Sequence, residues 1–230
     1  MKKEVGRVLD FFIRMVDPYY SWKVDKNKEK TKKTSIDKKI KEENKNLQLR
    51  GKSPINVITK PTPFFQFNKL NVFPSKGEMW YYHDKKFIGL LARVEVGELK
   101  RFDGQGFRKV RNDELYIYPR YVADNIANGK SKNSGLPKNK WVDATHLIPF
   151  GYHGRENDPR LMVQWLQSDN QGKMNRFEQE VKKLGFAVYW VTLIARTSDG
   201  AVWYYKVYRA EDKVLVKKLV LEWKEALYWN

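Results

Sequence analysis

Apolar residues at Val5, Val8, Leu9, Phe12, Met15 and Val16 recur at three- and four-residue steps, with Arg7, Asp10, Arg14 and Asp17 between them. One apolar stripe backed by charge predicts an amphipathic helix from Glu4, ended by Pro18. Such a stripe suits docking on the protein's own core better than binding a partner. From Lys23 to Lys52 the pattern dissolves into 12 Lys/Arg against 5 Asp/Glu. Two readings stay open there: a solvated helix around Ile36–Leu49, or a basic arm making salt-sensitive phosphate contacts.

After Pro54 the period changes to two. Glu78–Tyr82 and Phe87–Val96 flank His83-Asp84-Lys85-Lys86 and predict a hairpin. Strands are expected at Gly106–Val110 and Glu114–Tyr118, with a turn at Asp103-Gly104. The polar stretch Asp124–Lys140 reads as a long surface loop. Strands follow at Trp141–His146 and Leu161–Leu166. A helix is expected from Asn170 to Leu184, because Met174, Phe177, Val181 and Leu184 share one face and Gly185 supplies a stop. Phe186–Arg196 and Ala201–Arg209, joined through Asp199-Gly200, predict a second hairpin. Lys213–Trp229 reads as a strand that turns into a helix.

The expected class is therefore α+β, with a mainly antiparallel central sheet in residues 53–230. Residues 1–52 form an N-terminal helical, Lys-rich extension. Aromatic content (8 Trp, 13 Tyr, 12 Phe) supports a substantial core. A formal charge of +18 favours polyanions, nucleic acid first. The absence of cysteine excludes disulfides, thiolate metal sites and a Cys nucleophile. No run of signal-peptide or membrane-span character is present, so the expected location is cytoplasmic, or outside the cell by a non-Sec route. Gly104-Gln105-Gly106 lacks the length and the Lys-Ser/Thr of a nucleotide-binding loop.

Candidate chemistry concentrates where the two short strands lead into the helix. The first strand carries Asp143-Ala144-Thr145-His146-Leu147-Ile148-Pro149, and the helix opens with Asn170-Gln171-Gly172 and carries Glu178. Taken singly, His146 could be a structural strand-end histidine and Asn170 an ordinary helix cap. As a set, they resemble the DNA/RNA non-specific endonuclease family, whose ββα-metal (His-Me finger) motif runs Asp-Arg-Gly-His-Leu/Gln-x-Pro. That family's later signature is Asn-Gln-Gly at a helix start, with Glu eight positions after the Asn. Asn157-Asp158-Pro159-Arg160-Leu161-Met162-Val163-Gln164 resembles its intervening strand.

The resemblance implies a metal-dependent, largely sequence-non-specific endonuclease acting on DNA, with RNA as a further substrate. His146 would be the general base, a role a neutral imidazole fills near pH 7. Asn170 would hold Mg²⁺, with Mn²⁺ as a substitute; that ion keeps most of its waters and needs few protein ligands. Glu178 stands about 12 Å along the helix from Asn170 and about 80° around it, so it is expected to act through an intervening water. Asp143 completes the catalytic set. Where the family has Arg and Gly, this chain has Ala144 and Thr145, which removes the phosphate-contacting Arg. Arg120, Arg155 and Arg160 are candidates to replace it, and Lys140 and Lys173 are further backbone contacts. His153 reads as a loop residue, and the Trp-Tyr-Tyr runs at residues 80–82 and 203–205 as core positions.

Two other readings remain: a catalytically silent nucleic-acid-binding protein on the same scaffold, and a nuclease toxin or defence effector restrained by an acidic inhibitor or immunity protein.

Overall fold

The computed structural model describes residues 55–60, 70–96, 115–155 and 158–229. The expected N-terminal helix, the Lys-rich segment and the strand at Gly106–Val110 lie outside the described residues.

Six strands form the main sheet: β1 (Asn56–Thr59), β2 (Glu78–His83), β3 (Phe87–Glu95), β7 (Ala187–Arg196), β8 (Gly200–Arg209) and β9 (Leu215–Lys224). Their spatial order is β1-β2-β3-β7-β8-β9. β1 runs parallel to β2, and every other pairing is antiparallel. The protein is thus α+β with a mainly antiparallel sheet. Both predicted hairpins are present. In the first, Asp84 accepts from the backbone N–H groups of Lys86 and Phe87 and from the Tyr82 hydroxyl, closing the turn. In the second, a Cβ on Gly200 would lie 1.9 Å from the Trp223 carbonyl oxygen, so only glycine lets β8 begin beneath β9.

Alternation along β7 and β8 aims Trp190, Ile194, Trp203 and Tyr205 at one face, where all four are 0 % exposed. On that face Trp165 meets Trp203 and Trp223 edge-on, each at 5.1 Å, and Trp190 meets Tyr205 at 4.8 Å. Aromatic burial on this scale dominates a core, and truncating any one of these rings costs about 3–5 kcal/mol. The opposite face is covered in part by Phe73, whose ring lies 5.0 Å from that of Tyr189.

Two short strands, β5 (Val142–His146) and β6 (Met162–Leu166), pair antiparallel as a separate sheet. β6 leads without a break into a helical turn at Gln167–Asp169, a π-helical turn at Asn170–Met174 and an α-helix at Asn175–Lys182. We call this continuous helix α2. Its Phe177 ring lies 5.8 Å from Trp190 and its Val181 is fully buried, which docks the apolar face predicted by the 3.6-residue spacing. The β5–β6–α2 succession therefore sits against the tryptophan face of the main sheet.

Three expectations fail. The Asp124–Lys140 stretch is not wholly loop: helix α1 (Arg120–Ala127) runs into it, and a 3-10 turn at Lys138–Lys140 closes it. The strand expected at Glu114–Tyr118 is instead β4 (Ile117–Pro119), and Arg120 begins the helix that follows it. The chain also does not end in a helix. Leu227–Trp229 forms β10, antiparallel to β4, and Trp229 donates its indole N–H to the Asp84 carbonyl. The partners of β10 lie more than a hundred residues away, so no local pattern announces it. Among the described residues, no helix is long and apolar enough to cross a membrane.

Candidate functional site

At the start of β5, Asp143 gathers three amide groups from the opening of α2. Its carboxylate accepts from Gln167 Nε2 at 3.0 Å, from Gln171 Nε2 at 2.9 Å and, weakly, from Asn170 Nδ2 at 3.5 Å. The Asn170 NH2 group faces Asp143, so the amide oxygen lies on the opposite side of the amide plane. The π-helical turn sits at this point. Such a turn widens the helix by one residue and is common where a helix must present a side chain.

At the other end of β5, the backbone around His146 is pinned to the main sheet. Tyr205 donates its hydroxyl to the His146 carbonyl at 3.1 Å. The next carbonyl, that of Leu147, accepts from the Trp190 indole N–H at 3.2 Å and from the Thr192 hydroxyl. The Leu147 N–H bonds the Leu161 carbonyl at 2.8 Å. His146 thus leaves a strand end that cannot drift, and its ring rests edge-on to Phe150 at 6.0 Å.

Glu178 lies on the same side of the assembly as Tyr205 and Tyr152. Burial pushes its carboxyl up to about 7, only partly offset by the nearby Lys182 ammonium. Burial and, second, the Glu178 charge push both tyrosine hydroxyls up as well. Tyr152 also donates to the Glu178 backbone carbonyl at 3.3 Å. α2 opens beside Asp143, through Gln167, Asn170 and Gln171, and its Phe177 stacks on Tyr205, which holds the His146 carbonyl. Asp143 to His146 spans about 10 Å of strand, and Asn170 to Glu178 about 12 Å of helix. The two elements form a frame, with Asp143 and Asn170 at one end and His146, Tyr205 and Glu178 at the other.

The predicted cations are distributed around this frame rather than in it. Arg160 grips Asp158 with both Nε (3.0 Å) and a terminal nitrogen (2.6 Å). Burial alone would raise the Asp158 carboxyl, but the Arg160 hydrogen bonds outweigh it and hold it below the usual carboxylate range. Arg155 donates to the Ile55 carbonyl at 3.4 Å. Lys140 lies 3.5 Å from Glu225 and over the Tyr121 ring, and Lys173 lies 3.5 Å from Asp169 one helical turn back. Arg120 is exposed at the start of α1. None of these five side chains hydrogen-bonds Asp143, Asn170 or Glu178.

Ala144 packs against Leu115 and Met162, so an apolar contact occupies the position where the motif would carry Arg. His153 is buried, and its Nδ1 accepts the Arg155 N–H at 3.0 Å, which is the behaviour of a structural turn residue. Among the described residues, no three His, Cys, Asp or Glu side chains cluster as a metal cage. A pocket of about 320 Å³ between the β7–β8 turn and residues 225–227 lies away from the frame and contains none of its residues.

Sequence reasoning passed over Gln167, Tyr152 and Tyr205. Gln167 precedes the recognisable Asn-Gln-Gly, and only the fold brings it back to Asp143. Tyr205 has the alternation of a core strand residue, with nothing local to mark its hydroxyl. No protein-family model, curated protein or solved structure matches the chain.

Proposed function

We propose that the chain is a metal-dependent endonuclease with little sequence preference, cutting phosphodiester bonds in DNA and also in RNA. The observation that carries this reading is the Asp143–Asn170 contact. A carboxylate that takes the NH2 side of an asparagine sets its carbonyl oxygen on the other side of the amide, and hard divalent cations bind such oxygens. One neutral ligand suits Mg²⁺, which retains most of its own waters. Bound there, the ion would act as a Lewis acid on the phosphate and stabilise the leaving oxygen.

The other steps fall to side chains of this chain. The His146 imidazole takes a proton from the attacking water as its oxygen closes on phosphorus. The bond from phosphorus to the 3′ oxygen then breaks, leaving a 5′-phosphate as the resemblance implies. The bonds from Tyr205 and Thr192 fix the carbonyls that flank the His146–Leu147 peptide, so little reorganisation is needed during transfer. Glu178, whose carboxyl burial raises to about 7, stands at the His146 end of the frame and is poised to exchange protons with water there. The excess of 45 Lys+Arg over 27 Asp+Glu draws in the phosphate backbone, which accounts for low sequence preference.

Ala144 favours a second reading, a nucleic-acid-binding protein that does not cut. Its contact with Leu115 and Met162 leaves the motif's Arg position without a cation. Gel shift and plasmid digestion in Mg²⁺ and Mn²⁺ separate the two. Cleavage that stops with EDTA and needs more Mg²⁺ after Asn170→Ala supports the nuclease. Salt-dependent binding with no cutting in either metal supports the silent binder. Control by an acidic inhibitor is compatible with the nuclease and is tested by co-purification.

A further inference from the structure

β9 ends one side of the main sheet, and among the described residues no strand pairs with its outer edge. It is ten residues long, and among the described residues its outer edge is a row of unpaired backbone donors and acceptors, a template for a further strand. The centre of β9 reads Lys218-Leu219-Val220-Leu221-Glu222, which is self-complementary about Val220. By alternation Lys218, Val220 and Glu222 share the outer face of the sheet, while Leu219 and Leu221 face the core. Val220 is 48 % exposed, a large apolar side chain left open in the middle of an edge strand.

The charges on that face are also incomplete. Lys218 lies directly opposite Lys206 of β8, a like-charge cross-strand pair that is unfavourable unless an anion joins it. Lys218 and Glu222 form no ion pair among the described residues, in contrast to Lys217, which reaches Glu180 at 2.8 Å.

We propose that the chain forms a two-fold dimer by antiparallel pairing of β9 with the same strand of a second copy, centred on Val220. In that register Val220 meets the partner's Val220, and Leu219 meets the partner's Leu221. Lys218 meets the partner's Glu222, which supplies the missing counter-charge beside Lys206. A parallel pairing would set Lys218 against the partner's Lys218, and an acidic segment of another protein would leave Glu222 facing like charge. The pattern therefore selects a second copy in the antiparallel sense. The two sheets become one continuous sheet, and no residue of the candidate nuclease site takes part.

The chain contains no cysteine, which gives a clean test. Opposite residues in an antiparallel pair have Cα atoms about 4.5–5.5 Å apart, within disulfide range. Full-length Val220→Cys should form a disulfide-linked dimer under mild oxidation, whereas Leu215→Cys, exposed but off the axis, should not. In sedimentation velocity at physiological salt the unmodified chain should be dimeric, Lys218→Glu monomeric, and Lys218→Glu/Glu222→Lys dimeric again. A monomeric unmodified chain would overturn the proposal. So would equal cross-linking of the two cysteine variants, or a folded double charge swap that stays monomeric.

Discussion

Replacing Asp143 with Asn tests how the opening of α2 is held. The substitution keeps the shape but exchanges one carboxylate oxygen for an NH2 group. Asp143 accepts two good hydrogen bonds, at 2.9 and 3.0 Å, and one weak one at 3.5 Å. The two oxygens serve different partners: Oδ1 takes Gln167, and Oδ2 takes Gln171 and Asn170. One set of amides must then face another amide's hydrogens. Losing one hydrogen bond to a charged acceptor costs about 1.5–3 kcal/mol, and the lower end applies because the site is half-buried and Gln171 is exposed. For a chain of this size that lowers Tm by about 3–8 °C. If Asn170 holds the proposed cation, the larger effect falls there, because Asn170 loses the partner that orients its amide. Disturbing a group that orients a ligand typically weakens metal binding about 10–100-fold. Thermal melts across a Mg²⁺ titration read both effects without relying on activity. The melting curve of the unmodified chain should rise with Mg²⁺, and that of Asp143→Asn should start lower and need about 10–100 times more Mg²⁺. An unchanged Mg²⁺ dependence in a destabilised variant would refute the positioning role while leaving the structural one.

Three further outcomes are expected. The raised carboxyl of Glu178 makes the folded state bind a proton that the unfolded chain has released, so stability falls as pH rises from about 4.5 to about 7. Glu178→Gln should remove that fall, giving a variant more stable than the parent by up to about 3 kcal/mol above pH 7, read by metal-free melts across pH. Tyr205→Phe should cost about 0.5–1.5 kcal/mol, since a half-buried carbonyl loses its donor, and in cleavage assays should lower kcat much more than it changes KM. Nucleic-acid binding should weaken linearly in a plot of log affinity against log salt; a flat plot would show that the basic surface is not the binding determinant.

Much of the fold is written in local pattern. The two hairpins follow from alternation around Asp84 and around Asp199-Gly200, and α2 follows from Met174, Phe177 and Val181. What escaped depends on distant partners. β1 lies parallel to β2 because register pairs Asn56 with Glu78, which no hairpin signal encodes. β10 is a strand because Tyr118 stands opposite Tyr228, although Leu227–Trp229 carries no turn or alternation long enough to declare itself. The site divides the same way. His146, Asn170, Glu178 and Asp143 stand out by their order along the chain. The three-amide grip of Asp143 and the anchoring of the His146 carbonyl by Tyr205 exist only once β5, α2 and β8 have met.

In the proposed reaction His146 moves the proton that starts phosphodiester hydrolysis. Supercoiled plasmid incubated in Mg²⁺ with the unmodified chain and with His146→Ala, both shown to be folded and to shift the plasmid on a gel, tests it most directly. The unmodified chain should nick and then fragment the plasmid, with EDTA abolishing the cutting, and the variant should bind equally but cut at least about 100-fold more slowly. Cutting by His146→Ala at the parental rate, or none by the unmodified chain in Mg²⁺ or Mn²⁺, would contradict it.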